Sequence, residues 1–198
     1  TVLLFGGADP VDTIRTRFLL AQDSPVDGIL EPGEQTLEGV PIDVVSLAGH
    51  SMNQMGIVVD GVFFCADVVF PQETIDKYRI PYLFGLTEHL DAMDYATTVP
   101  ADRVVPGHGE MAESIDDLVA ANRAAVERTS AAILASIASP KPADVIADEV
   151  FRALDVPVTD AGAYYLLRPT IAAYLAHLER TEQATCAVSG KSVVWERV

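Results

Sequence analysis

Three short stretches hold the residues that could do chemistry: Gly49-His50-Ser51, Cys65-Ala66-Asp67 and Pro106-Gly107-His108-Gly109. Imidazole nitrogen and carboxylate oxygen are the donors that a borderline divalent ion selects. Each stretch follows an apolar, strand-like run, so one sheet could deliver all three residues to one edge. A glycine beside each histidine lets the backbone turn sharply after its strand. The steps along the chain are 17 residues from His50 to Asp67 and 41 from Asp67 to His108. Taken singly, each stretch has an ordinary reading: a structural histidine, an aspartate capping a turn, a glycine-rich loop with a solvated imidazole. The combination in this order points to a metal.

Other polar residues read as structural. Cys65 lies two positions before Asp67, on the same strand face by the period of two, and is expected to be a packed core thiol. His89 sits in an acidic helical stretch with Glu88, Asp91 and Asp94 and is expected at the solvated surface. His177, between Tyr174 and Leu178, reads as a packing residue. Tyr78 and Tyr82 fall in what reads as a loop after Asp67, where a side chain could meet substrate.

The elements that must position these residues are legible in the pattern. Residues 12–21 read as a short helix after Pro10, with Asp12 as its cap. Residues 35–37 and 42–47 are candidate strands around a Gly39/Pro41 turn. Residues 56–59 and 62–65 form a hairpin on Asp60-Gly61. Residues 88–98 have helical spacing, and 103–105 make a short strand before Pro106. From Ser114 one long helix runs to about Ser139, ended by Ser139-Pro140-Lys141-Pro142. Then come a helix over 143–154, a short helix capped by Asp160 and ending at Leu167, and a fourth helix with Pro169 as its first residue. A hairpin over 184–188 and 192–197 closes the chain.

The 198 residues are 49% hydrophobic, enough for a core and against disorder. Net charge is −16, divided as −13 over residues 1–114 and −3 over 115–198. No basic stripe suited to nucleic acid is present, and no apolar run approaches a membrane span. Two cysteines are too few for a disulfide framework, so a reduced, cytoplasmic protein is expected. The chain opens at Thr1 on an apolar run, which reads as a start inside a fold.

The three stretches, in order and each after a strand, resemble the later ligand motifs of the metallo-β-lactamase superfamily. The resemblance covers about residues 1–113. It implies an α/β fold class, with residues 1–113 forming part of a four-layer αββα sandwich; beyond it, the linker helix, the three short helices and the terminal hairpin look like a small winged-helix-like α+β module over 114–198. It implies that His50, Asp67 and His108 are ligands of two divalent ions, zinc first, with iron and manganese also suiting such donors. Asp67 would bridge the ions and serve catalysis. The expected activity is hydrolysis of a small-molecule ester, thioester or phosphoester. Aspartate at 67, where the best-known zinc β-lactamases carry cysteine, places the chain with the dinuclear hydrolases.

The superfamily's H-x-H-x-D-H cluster is absent from the sequence. Each ion would therefore keep two protein ligands where catalytic zinc normally has three. Weak or no metal binding, inactivity of this chain alone, and an apolar sheet face without its partner layer are expected. Two other readings compete: a metal-free interaction module, and a DNA-reading winged helix. Against the second, Thr170 to Glu182 offers Arg180 against Glu179 and Glu182. Packing over the active-site loops, or contact within a homodimer, suits the C-terminal module better.

Overall fold

The structure is a computed structural model that describes residues 6–17, 19–20 and 23–198. The apolar opening at residues 1–5, and part of the expected first helix, lie outside the described residues. The chain divides into two compact units, Leu30–Ser130 and Thr1–Ile29 with Ala131–Val198.

The Leu30–Ser130 unit is built on a five-stranded sheet in the order β1-β2-β3-β4-β5. Its strands are β1 (Gly33–Leu37), β2 (Val40–Ser46), β3 (Met55–Val59), β4 (Val62–Ala66) and β5 (Arg103–Pro106). The first four are antiparallel neighbours, and β4 and β5 are parallel. The β3–β4 hairpin turns on Asp60-Gly61 with φ of 48° and 74°, the left-handed pair that matches the twist of the strands. Glu38-Gly39 makes the same kind of two-residue turn between β1 and β2, at φ of 50° and 86°. A parallel pair needs a crossover, supplied by α1 (Gln72–Tyr78) and α2 (Leu86–Ala96).

One face of the sheet is closed. Val45, Phe63, Cys65 and Val104 pack with Met93 and Ala96 of α2 and with Val119 of α3 (Asp116–Ser136). Burying each large side chain there is worth about 1.5–3 kcal/mol. The opposite face carries the register row Val44, Ile57, Phe64 and Val105. Phe64 remains 44% exposed, whereas its neighbour Phe63 is fully buried.

The second unit contains α4 (Ala143–Ala153), α5 (Ala161–Arg180) and the hairpin of β6 (Ala184–Ser189) and β7 (Ser192–Arg197). Ile146, Val150, Ile171 and Leu175 are buried there. Trp195 and Lys141 exchange backbone hydrogen bonds, 2.8 and 3.0 Å, which tie β7 to the segment before α4. Asp160 caps α5 by accepting from the Ala163 N–H at 2.9 Å.

Three expectations are corrected here. Among the described residues of 12–21, the helical element is a 3-10 turn at Asp12–Ile14, and its capping position belongs to Val11, not Asp12. Arg15 leaves helical geometry (ψ 53°) and turns its guanidinium to the Pro10 carbonyl at 3.0 Å, which stops propagation. The two expected helices around Pro169 are one helix, with the proline inside it. Proline forfeits one backbone donor in mid-helix, and the apolar face Leu167, Ile171, Tyr174 and Leu178 buried on either side sustains the helix past it. The stretch after Asp67 is not all loop, since α1 occupies Gln72–Tyr78. Among the described residues no helix is long and apolar enough to cross a membrane.

Candidate metal centre

The three expected residues come from successive strand ends. After β2 the chain makes a tight loop in which the Leu47 N–H donates to the Gln54 carbonyl (2.8 Å) and Gly49 N–H to Ser51 (3.0 Å). Gly49 has φ 143°, and a Cβ there would stand 2.3 Å from the His89 Cα. Only glycine fits this approach. The Gly49 carbonyl accepts from Phe84 and Gly85 at 2.8 and 2.9 Å, so the loop bearing His50 is fixed from both sides. Asp67 follows β4 directly, thrown outward by Ala66 in a left-handed conformation (φ 49°). The Ala66 carbonyl accepts from the Gly107 N–H at 2.7 Å, which ties the Asp67 and His108 loops together. A Cβ on Gly107 would stand 2.3 Å from the Asp67 Oδ1.

The structure brings His50, Asp67 and His108 together. His50 Nε2 stands 3.5 Å from Asp67 Oδ2, and His108 Nε2 stands 3.6 Å from Asp67 Oδ1. These separations are long for charge-assisted hydrogen bonds. They match another geometry: two donors each about 2.1 Å from one tetrahedral ion stand about 3.4 Å apart. Asp67 Oδ1 is buried and has no hydrogen-bond partner among the described residues, a costly state for a carboxylate oxygen without a cation. The residues present fit a metal. Each imidazole faces a different carboxylate oxygen, so the arrangement is two pairs sharing Asp67. Among the described residues, no three His, Cys, Asp or Glu side chains are grouped to hold a single ion.

Electrostatics and hydrogen bonding prepare the His50 side. Its Nδ1 lies 2.9 Å from the Tyr82 carbonyl. A carbonyl only accepts, so Nδ1 carries the proton and Nε2 presents its lone pair toward Asp67. Burial lowers the His50 pKa against the raising effects of Asp67 and Tyr82, with His108 lowering it further. The neutral ring that a metal requires is thereby favoured. The Tyr82 and Phe70 rings meet His50 edge-on at 5.4 and 5.6 Å, and Phe70 stacks on His108 at 5.9 Å. Asn122 of α3 holds the Phe70 backbone, accepting from its N–H at 3.1 Å and donating to its carbonyl at 2.8 Å.

The remaining candidates divide. Burial pushes the Cys65 thiol up to about 12, so it is a fully buried thiol and not a thiolate ligand. Tyr82 reaches His50, whereas Tyr78 ends α1 with Lys77 over its ring. The expectation of a solvated His89 is corrected: it is 3% exposed and burial lowers its pKa to about 4. Its acidic neighbours suggest an outward face, but α2 turns His89 inward under Gly49, where its backbone fills the space a side chain would need. Phe70 and Asn122 carry no signal in the sequence. An aromatic and an amide at that separation give no pattern until the fold brings them together.

No protein-family model and no curated protein matches the sequence. Solved structures do. A β-lactamase domain protein from Burkholderia ambifaria matches with TM-score 0.70 and 18% identity, covering 88% of this chain and 53% of that one. A metallo-β-lactamase family protein from Thermus thermophilus matches with TM-score 0.70 and 15% identity, covering 100% of this chain and 62% of that one. The fold is that of the metallo-β-lactamases. The chain spans little more than half of the first matched structure and about three-fifths of the second. The five-stranded sheet, with the histidines and the aspartate at its strand ends, is thus a portion of a metallo-β-lactamase fold.

Proposed function

We propose that this chain forms part of a metal-dependent hydrolase with a dinuclear site, acting on a small-molecule ester, thioester or phosphoester. One observation carries the reading. The two oxygens of Asp67, one of them buried and unpartnered, face two separate imidazole nitrogens at 3.5 and 3.6 Å. His50 and Asp67 would hold one ion, His108 and Asp67 the other. Divalent ions bound at such a site lower the pKa of water and polarise a carbonyl or phosphoryl oxygen.

The chain's own residues supply orientation. Tyr82 fixes the His50 ring by its carbonyl, Phe70 restrains both rings, and Gly107 leaves the space that Asp67 Oδ1 occupies. Zinc suits these donors, and iron or manganese suits them also.

Titration with Co2+, read by visible absorption and calorimetry, tests the reading on the chain itself. Each ion would have two protein ligands, so binding is expected to be weak, with two equivalents displaced by Zn2+. Asp67→Ala is expected to abolish both. Binding that survives Asp67→Ala unchanged would sink the proposal, and tight binding of two ions would overturn the two-ligand count.

A further inference from the structure

The strongest unexplained feature is a strained, unpaired arginine on the segment that orients His50. α1 ends at Tyr78, and Arg79 then adopts φ 62°, ψ −48°. The Tyr78 carbonyl accepts from the Ile80 N–H at 2.7 Å across it. This is a γ-turn of the positive-φ kind, which is rare and strained for any residue with a side chain. The turn itself has a use: it buries Ile80 completely and sends the chain on to Tyr82, whose carbonyl meets His50. Glycine would make that turn without steric cost. Arginine at this position is a backbone liability that the turn does not explain, which directs attention to its guanidinium.

The Arg79 guanidinium has no hydrogen-bond or ion-pair partner among the described residues. It also lies beside two other cations that form no ion pair with a carboxylate among the described residues. The Leu30–Ser130 unit holds five basic residues against seventeen acidic ones. Arg103 faces Glu113 at 3.7 Å and Arg123 is paired with Asp94. The other three, Lys77, Arg79 and Arg128, gather at the end of α1. Arg128 brings its Nη2 to 3.5 Å from the Arg79 carbonyl, and Lys77 lies over the Tyr78 ring. Asp76, the nearest acid in sequence, is engaged by the Gln72 amide at 2.9 Å. The Arg79 Cα lies within three residues of Tyr82, at most about 11 Å even fully extended, so a guanidinium at Arg79 can reach the margin of the site.

We propose that Arg79, with Lys77 and Arg128, binds a carboxylate or phosphate group of the substrate away from the scissile bond. This specificity role rests on the hydrolase reading above, and it narrows the substrate to esters or thioesters that carry a second, anionic group. A forked guanidinium suits either anion, pairing with it through two parallel N–H donors. In a unit otherwise strongly acidic, one such cluster would select the orientation in which an anionic substrate enters.

The test is made on the metal-free chain in EDTA, so that its failure is separable from failure of the metal centre. Inorganic phosphate and acetate are the probes, followed by calorimetry and by NMR of the arginine Nε–H signals. Saturable binding is expected, weakened by about tenfold in Arg79→Gln, the scale of a charge-assisted pair. Arg103→Gln, outside the cluster, is expected to bind as wild type. Arg79→Gly should also lose binding yet raise the thermal midpoint, because it relieves the turn. Preference for phosphate or for acetate identifies the anion. Absence of saturable binding of both probes, or equal weakening by Arg103→Gln, would overturn the proposal. So would Arg79→Gly that binds as wild type.

Discussion

The two imidazoles facing Asp67 are held very differently. His50 is 21% exposed, proton-fixed by the Tyr82 carbonyl, flanked by two aromatic rings and carried on a loop clamped through Gly49. His108 is 59% exposed, and its ring is restrained by stacking on Phe70. Its loop is tied by backbone, through Gly107 to Ala66 and through the Val104–Ala112 pair. The difference teaches that the protein's own contacts organise the His50 half and leave the His108 ring more open; on the proposed reading, that second half would gain its order on binding an ion. Pre-organisation of a ligand by its outer partners is worth about 10–100-fold in affinity.

The largest expected effect removes the comparison altogether. Gly107→Ala puts a methyl 2.3 Å from Asp67 Oδ1 and 3.2 Å from the Ala66 carbonyl carbon. Asp67 must swing away, and both halves lose their shared carboxylate. A loss of about a hundredfold in affinity for both ions is expected, at the upper end for such outer contacts, with far-ultraviolet circular dichroism unchanged. Loss of one ion only would show that Asp67 is not shared.

Acid should strain the His50 side first. His89 lies buried beneath Gly49 with its Nδ1 unpartnered among the described residues, and its pKa is lowered to about 4. In the unfolded chain it would titrate near 6.5, so below that pH the unfolded state takes up the proton first. The stability from a neutral His89 is therefore full above pH 6.5 and is lost as pH falls toward 4, with a slope of at most about 1.4 kcal/mol per pH unit. Urea unfolding of the metal-free chain across this range measures it. His89→Leu should flatten the slope, and an unaltered slope would remove His89 from the account.

Much of this centre is readable from residue types, and the unreadable part has a definite cause. His50, Asp67 and His108 announce themselves because each follows an apolar strand, and Asp60-Gly61 fixes the hairpin that puts Asp67 at the edge. His89 points the wrong way in sequence because its neighbours Glu88 and Asp91 are acidic, while burial on a helix is set by the neighbours three and four residues away. Leu86 and Met93, one turn to either side of His89, are both buried. Pro169 misleads for the complementary reason: a local helix-breaking preference is outweighed by tertiary burial of Ile171 and Leu175. The Tyr82 carbonyl leaves no trace in sequence at all, since every residue has one.

A smaller effect bears on the His50 ring itself. Its Nδ1–H tautomer and lowered pKa predict that nitrogen-15 shifts of the metal-free chain show Nε2 as the unprotonated nitrogen at pH 6.5. On acidification His50 should remain neutral below the ordinary imidazole range near pH 6.5. An Nε2–H tautomer would leave the Tyr82 carbonyl without its donor and would remove the distinction between the two histidines.

The finest probe is Phe70, which touches both rings but in unlike ways. Its contact with His50 is edge-on and is duplicated by Tyr82, whereas its stack on His108, with planes 27° apart, is the aromatic contact that ring makes among the described residues. Phe70→Leu keeps an apolar side chain in a position that is 5% exposed, and Asn122 still holds the backbone there. The His50 side should hardly notice the change. The His108 side should lose about threefold in affinity, corresponding to the 0.5–1.5 kcal/mol typical of an aromatic pair. Zinc added stepwise, with the two histidine ring signals followed separately, resolves the sides. In wild type the His50 signals should respond at lower zinc than those of His108, and Phe70→Leu should widen that gap. A gap that closes would mean that Phe70 supports His50 more than His108, and that the exposed ring is ordered by its own loop.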